Sequence, residues 1–206
     1  MKSVPAKPRT QLDRSGWIDG AIEALADEGL SGMRVEALAK RFGVTKGSFY
    51  WHFKDRQDLF SAVLQTWKEG RIRDIDKQST AVSGNESDQL LQIIEVYSSN
   101  RNRKGISIEL AVRDWARRDA QASAVVEEVD SYRLESARKL FVATGLSDSE
   151  AKSRSLLLYA YVFGCSLRHV ERMPQEIERL KTRIAGWITG PAAGDDEGSS
   201  ERLHAE

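Results

Sequence analysis

Residues 35–53 read Val35-Glu36-Ala37-Leu38-Ala39-Lys40-Arg41-Phe42-Gly43-Val44-Thr45-Lys46-Gly47-Ser48-Phe49-Tyr50-Trp51-His52-Phe53. Val35, Leu38, Ala39 and Phe42 recur at i, i+3, i+4 and i+7, the spacing of one helix face. Gly43 follows where a left-handed stop is easiest for a residue without Cβ. Val44 reads as a buried hinge, and Thr45 stands where the N-cap of a second helix belongs. Winding that second helix, about seven residues long, at about 100° per residue puts Phe49 at the centre of its inner face. Lys46, Gly47, Tyr50 and Trp51 then face outward. So short a helix gains nothing in stability by showing Tyr, Trp and Lys to water, so the pattern implies a partner. A helix-turn-helix provides one, because its second helix enters a DNA major groove while the first spans the backbone.

With its flanks, this stretch resembles the N-terminal domain of the tetracycline-repressor (TetR) family of bacterial regulators. The matching residues are Trp17 in an amphipathic first helix, Glu28-Gly29-Leu30, Val35 with Leu38-Ala39, Phe42-Gly43-Val44, Lys46 to Tyr50, His52-Phe53, Asp55-Arg56 and Leu59. They cover a quarter of the chain or less, densely and without interruption. Met33-Arg34 departs from the Thr or Ser that such domains usually place before Val35. A hydroxyl cap typically contributes about 1 kcal/mol, and here it is missing unless Ser31 or water substitutes. Arg34 retains a route to phosphate through its charge.

The chain has 206 residues, enough for one compact domain or two small ones with a sizeable core. Its formal charge is zero, but residues 1–56 hold ten Lys and Arg against seven Asp and Glu. The head is therefore three charges positive and the rest three negative, which turns the head toward a polyanion. There is no run of about twenty apolar residues, and the first residues lack the apolar centre of a secretion signal. The single cysteine, Cys165, excludes an internal disulfide and a cysteine-built metal site. These features point to the cytosol.

The expected fold is all-α, with about nine helices. Residues 1–12 should be a flexible basic arm, 13–56 the helix-turn-helix head, 55–78 a linking helix, 79–189 a helical regulatory and dimerisation body, and 190–206 a disordered acidic tail. Asp55 and Asp58 should form an acidic capping box on the linking helix. Ser79 to Ser87 reads as a loop. Body helices are expected over 88–102, 106–118, 122–144, 148–172 and 175–188, punctuated by Gly105, Gly145 and Met173-Pro174. The helix over 148–172 is apolar almost all round, which implies burial on both sides. It and the last helix should pair with their copies about a two-fold axis through Leu157, Tyr161, Cys165, Ile177, Leu180, Ile184 and Trp187. Cys165 on its own reads as a small core residue.

Candidate DNA contacts are Arg34, Thr45, Lys46, Gly47, Ser48, Tyr50, Trp51, His52, Lys54 and Arg56. Of these, Thr45, Lys46 and Trp51 are best placed for base edges, and the cations, Tyr50 and His52 for phosphates. The resemblance implies a small-molecule pocket in the body, for an apolar or aromatic effector. Trp67, Tyr97, Trp115, Tyr132, Tyr159 and Phe163 could line it, although aromatics at helical spacing are more often core residues. Arg113 is better explained by pairing with an acid, and Arg117, Arg118 and Arg168-His169 by placement near helix ends. The expected function is a homodimeric transcriptional regulator, a repressor released from a near-palindromic operator by its ligand. The alternatives are a DNA-binding dimer without a ligand, an activator, or an all-helical enzyme. Three histidines and no nucleophile, phosphate-loop or metalloprotease motif argue against catalysis. No cofactor or metal is expected.

Overall fold

A computed structural model describes residues 12–80, 86–98, 103–167 and 174–190. Among these residues the fold is all-helical, with no strand: α1 (Arg14–Glu28), a short tight turn (Gly29–Ser31), α2 (Val35–Phe42), α3 (Lys46–Phe49), α4 (Arg56–Thr80), α5 (Glu86–Ser98), α6 (Arg103–Ala116), α7 (Ala120–Ala143), α8 (Asp148–Leu167) and α9 (Pro174–Thr189). The described residues of Met1–Asp76 and Asn100–Arg133 form one compact unit, and those of Lys77–Ser99 and Leu134–Glu206 a second. Packing therefore groups α6 and the first part of α7 with the N-terminal helices.

The first unit is built outward from Trp17. Asp13 caps α1, its Oδ1 accepting from the Gly16 N–H at 2.8 Å and the Ser15 hydroxyl at 2.9 Å. Those two donors hold the Asp13 carboxyl below the usual carboxylate range. Trp17 is fully buried, with edge contacts to Phe42 and Phe49 at 5.2 and 5.4 Å between ring centroids. Gly20 makes this possible, since a Cβ there would stand 2.2 Å from the Phe42 ring. α2 closes at Gly43 in the left-handed region, with Val44 N donating to Ala39 O at 3.0 Å and Gly43 N to Lys40 O at 3.3 Å. Val44 is only half-buried at that corner.

α3 is shorter than its spacing suggests: four residues rather than seven. Beyond Phe49, both the His52 and Phe53 N–H groups donate to Phe49 O, at 2.9 and 3.0 Å. That tight turn brings Phe53 under the head, stacked on Phe49 at 5.2 Å. Asp55 then caps α4 through the Asp58 N–H at 2.9 Å, while Asp58 reaches back to the Lys54 N–H at 3.0 Å. The acidic capping box is present, with its return bond one residue early. On α6, Arg113 forks onto Asp130 of α7 at 2.6 and 2.9 Å and onto the buried Glu109 at 2.8 and 3.0 Å. Such bidentate pairing is what a half-buried guanidinium requires.

The second unit has its own core, in which Leu90, Phe141, Leu158 and Ile188 of four different helices meet. Arg154, nearly buried on α8, donates to the carbonyls of Ile188 and Gly190 and to Glu150. It thereby satisfies carbonyls that the end of α9 leaves without helical partners.

Several boundaries differ from the sequence reading. Ser79 and Thr80 continue α4 instead of opening a loop, and α5 starts at Glu86. Gly105 lies in the first turn of α6 rather than before it. Among the described residues the glycines held at positive φ are Gly29, Gly43 and Gly145, each at or just past the end of a helix. Pro174 opens α9 at its first position, where a missing N–H leaves no bond unmade. The arm, the tail beyond Gly190 and Arg168-His169 lie outside the described residues.

Candidate nucleic-acid interface

Tyr50 and Trp51 are 60% and 87% exposed, while Phe49 beside them is fully buried. Adjacent large rings thus divide between core and solvent, because Trp17 and Phe53 anchor Phe49 from inside. Tyr50 is held on its inner side by an edge contact with Phe49 at 5.1 Å. Lys46, Lys54, Arg34 and Arg56 are all exposed within the same helix-turn-helix segment. A Cβ built on Gly47 meets only Thr45 Oγ1, at 3.7 Å, so the outer surface of α3 is open to close approach.

The cations are positioned rather than loose. Arg34 occupies the cap position of α2 without a side-chain bond to the helix, and its Nε donates to Ser31 O at 3.1 Å. Ser31 does not replace the missing cap, because its hydroxyl donates to Glu28 O at 2.7 Å. Lys46 pairs with Glu36 of α2. Arg56 lies over the Phe60 ring at 4.5 Å, and Phe60 meets Trp115 edge-on at 4.9 Å. A guanidinium on an aromatic face keeps its outward N–H groups for an anion.

Two hydroxyl assignments change. Thr45 has the extended backbone of an N-cap, but its side chain accepts no α3 N–H. Ser48 is half-buried, its hydroxyl donating to Thr45 O at 2.8 Å. His52 is likewise half-buried. Arg14 was missed by the sequence reading. It lies over Phe53 at 4.7 Å and pairs with Asp58 at 3.3 Å, bringing another half-exposed guanidinium to the base of α4. Its contact is 44 residues away in sequence, and no local pattern announces it.

The body candidates separate by environment. Trp67 and Trp115 are buried in the core of the first unit. Tyr132 is exposed, its hydroxyl donating to Asp76 at 2.5 Å, which pushes its ionisation upward. Tyr159 and Phe163, in the second unit, are half-buried with ring centroids 4.7 Å apart. The Tyr97 and Ile177 side chains lie outside the described residues. Of the remaining interface candidates, Leu157, Leu180 and Trp187 are exposed, Tyr161 and Ile184 half-buried, and Cys165 buried. Cys165 is therefore a core residue and not part of an open face, because it lies on the side of α8 shared with Leu158 and Val162.

The geometry defines a helix-turn-helix protein whose aromatic and basic face is set by its own core. Residues 18–63 match the pattern of the bacterial regulatory proteins of the tetR family. The regulator AcrR of Shigella flexneri is 35% identical over 75 residues, 36% of this chain and 34% of that protein. The class C tetracycline repressor of Escherichia coli is 38% identical over 55 residues, 27% of this chain and 25% of the repressor. These matches span about a third or less of the curated relatives' length. Over the longer range, Salmonella enterica GusR shares the fold with a TM-score of 0.65 at 17% identity, covering 92% of this chain and 98% of its own. Residues 18–63 therefore carry a helix-turn-helix domain similar to that of the tetR-family DNA-binding transcriptional regulators, and the longer likeness to GusR is one of fold. Among the described residues no helix is long and apolar enough to cross a membrane.

Proposed function

We propose that this chain is a homodimeric repressor that binds a near-palindromic operator and leaves it when a small molecule binds the body. The observation that carries the reading is the outward Tyr50–Trp51 pair, flanked by Lys46 and Lys54 on a rigid helix-turn-helix. Each head would place α3 in a major groove, with half-sites about one helical turn apart, roughly 34–36 Å, or somewhat more. Trp51, Lys46 and Thr45 would face base edges; Tyr50, His52, Lys54, Arg34 and Arg56 would grip phosphates, and Gly47 would admit the backbone.

Self-association is supported by the outer faces of α8 and α9. Leu156, Leu157 and Leu167 on one, and Leu180 and Trp187 on the other, stand open to solvent in the single chain. A monomer has no use for so much apolar surface. Residues 79–189 would then combine dimerisation with effector binding, and residues 13–56 would bind DNA. The effector is proposed to be apolar or aromatic. The effector would release DNA only through its differential affinity for the two arrangements of the dimer. The deciding experiment is selection of bound duplexes from a random pool at moderate salt. It is expected to return a near-palindrome whose retardation in gels an effector reverses; a pool without enrichment sinks the proposal.

A further inference from the structure

The face assigned to DNA carries a carboxylate among its cations. Glu36, near the start of α2, is exposed, and its Oε1 lies 2.5 Å from Nζ of Lys46, the first residue of α3. Arg34 adds its field to that of the lysine. The lysine's hydrogen bond holds the Glu36 carboxyl below the usual range, and the carboxylate raises the Lys46 ammonium above its own. The pair is not needed to hold the corner. Gly43, the Val44–Ala39 bond and the rings of Trp17, Phe42 and Phe49 already fix α2 against α3. Exposed ion pairs of this kind add little to a fold. A negative charge that contributes little to stability, on a face built for a polyanion, calls for another account.

We propose that Glu36 is a specificity-determining residue that keeps Lys46 from generic DNA. The proposal rests on the reading of this face as the DNA interface. A phosphate can take Lys46 only by displacing the carboxylate, exchanging one anion for another and leaving Glu36 beside the backbone. That exchange is favourable where other contacts hold a phosphate at the right place, as in a matched operator. On unmatched DNA the register is loose, and Lys46 stays with Glu36. Charge alone drives non-specific binding, so withholding one cation lowers it more than operator binding. Discrimination among competing sites depends on that ratio, not on affinity alone.

The test measures binding of the full-length protein to its selected operator and to a scrambled duplex of equal length, each across a potassium chloride series. Glu36→Gln is expected to tighten scrambled binding by about threefold to tenfold, to steepen its salt slope by about one unit, and to tighten operator binding less. In a Lys46→Ala background the same substitution is expected to change neither slope nor affinity. Thermal unfolding of Glu36→Gln should match the wild type. Three results would overturn the proposal: equal behaviour of wild type and variant on both duplexes, weakened operator binding by the variant, or an undiminished gain without Lys46. The second would mark Glu36 as a direct acceptor from a base amine, the third as a simple repulsive charge. Failure of the wild type to select any duplex would instead remove the interface reading, and the proposal with it.

Discussion

Two surfaces of this protein expose large rings to water, and their surroundings differ. Around Tyr50 and Trp51 stand Lys46, Lys54 and Arg34, with backbone laid open at Gly47. On the helices that carry Leu157 and Trp187, Ala160, Gly164 and Gly186 are also exposed, small residues that let another surface come near. The first combination fits a ligand with π-faces and charge; the second fits an apolar surface of similar shape. Exposure of an aromatic ring therefore says that something binds, and its neighbours say what.

Substitutions can break this comparison at either end. The largest effect is expected from Trp187→Asp, which puts a charge in the proposed apolar interface: sedimentation should give monomers, and a persisting dimer would place the interface elsewhere. Tyr50→Ala should weaken operator binding by roughly tenfold to a hundredfold, in keeping with about 1.5–3 kcal/mol for a hydrogen bond to a charged group, while circular dichroism and oligomeric state stay unchanged. Unaltered gel retardation would strike Tyr50 from the contacts. Gly20→Ala tests the scaffold beneath the aromatic face, because its methyl would enter the Phe42 ring. Overpacking of this kind destabilises by about 1–3 kcal/mol, so thermal unfolding should shift down by several degrees. An unshifted transition would mean that Phe42 moves aside freely. The smallest effect belongs to Lys54→Ala, which should reduce the salt slope of binding by roughly one unit. A slope equal to wild type would remove Lys54 from the phosphate contacts.

Much of the head was legible because its signals are local. The stripe Val35, Leu38, Ala39, Phe42, the Gly43 stop and the inward Phe49 all depend on residues within a few positions of one another. The interplay of charges was not legible in the same way. Lys46 and Arg56 read only as DNA contacts, yet one pairs with Glu36 ten positions back and the other rests on Phe60. Side-chain reach links such residues, and helical periodicity does not record it. The stripe of α9 shows a further limit. Ile184 and Trp187 read as one apolar face, but Ile184 is half-buried against the second unit's core while Trp187 stays 69% exposed. A stripe about 100° wide can serve two partners, one on each edge.

From the sequence alone came the helical class, the helix-turn-helix and the identities of most outward residues, since hydrophobic period, glycine stops and caps act between near neighbours. Only the tertiary structure decided that Ser31 caps nothing, that Arg14 lies on Phe53, and that α6 packs with the N-terminal helices. Each of these depends on groups far apart in the chain meeting in space, where packing and hydrogen-bond geometry choose among partners that residue order leaves equally open.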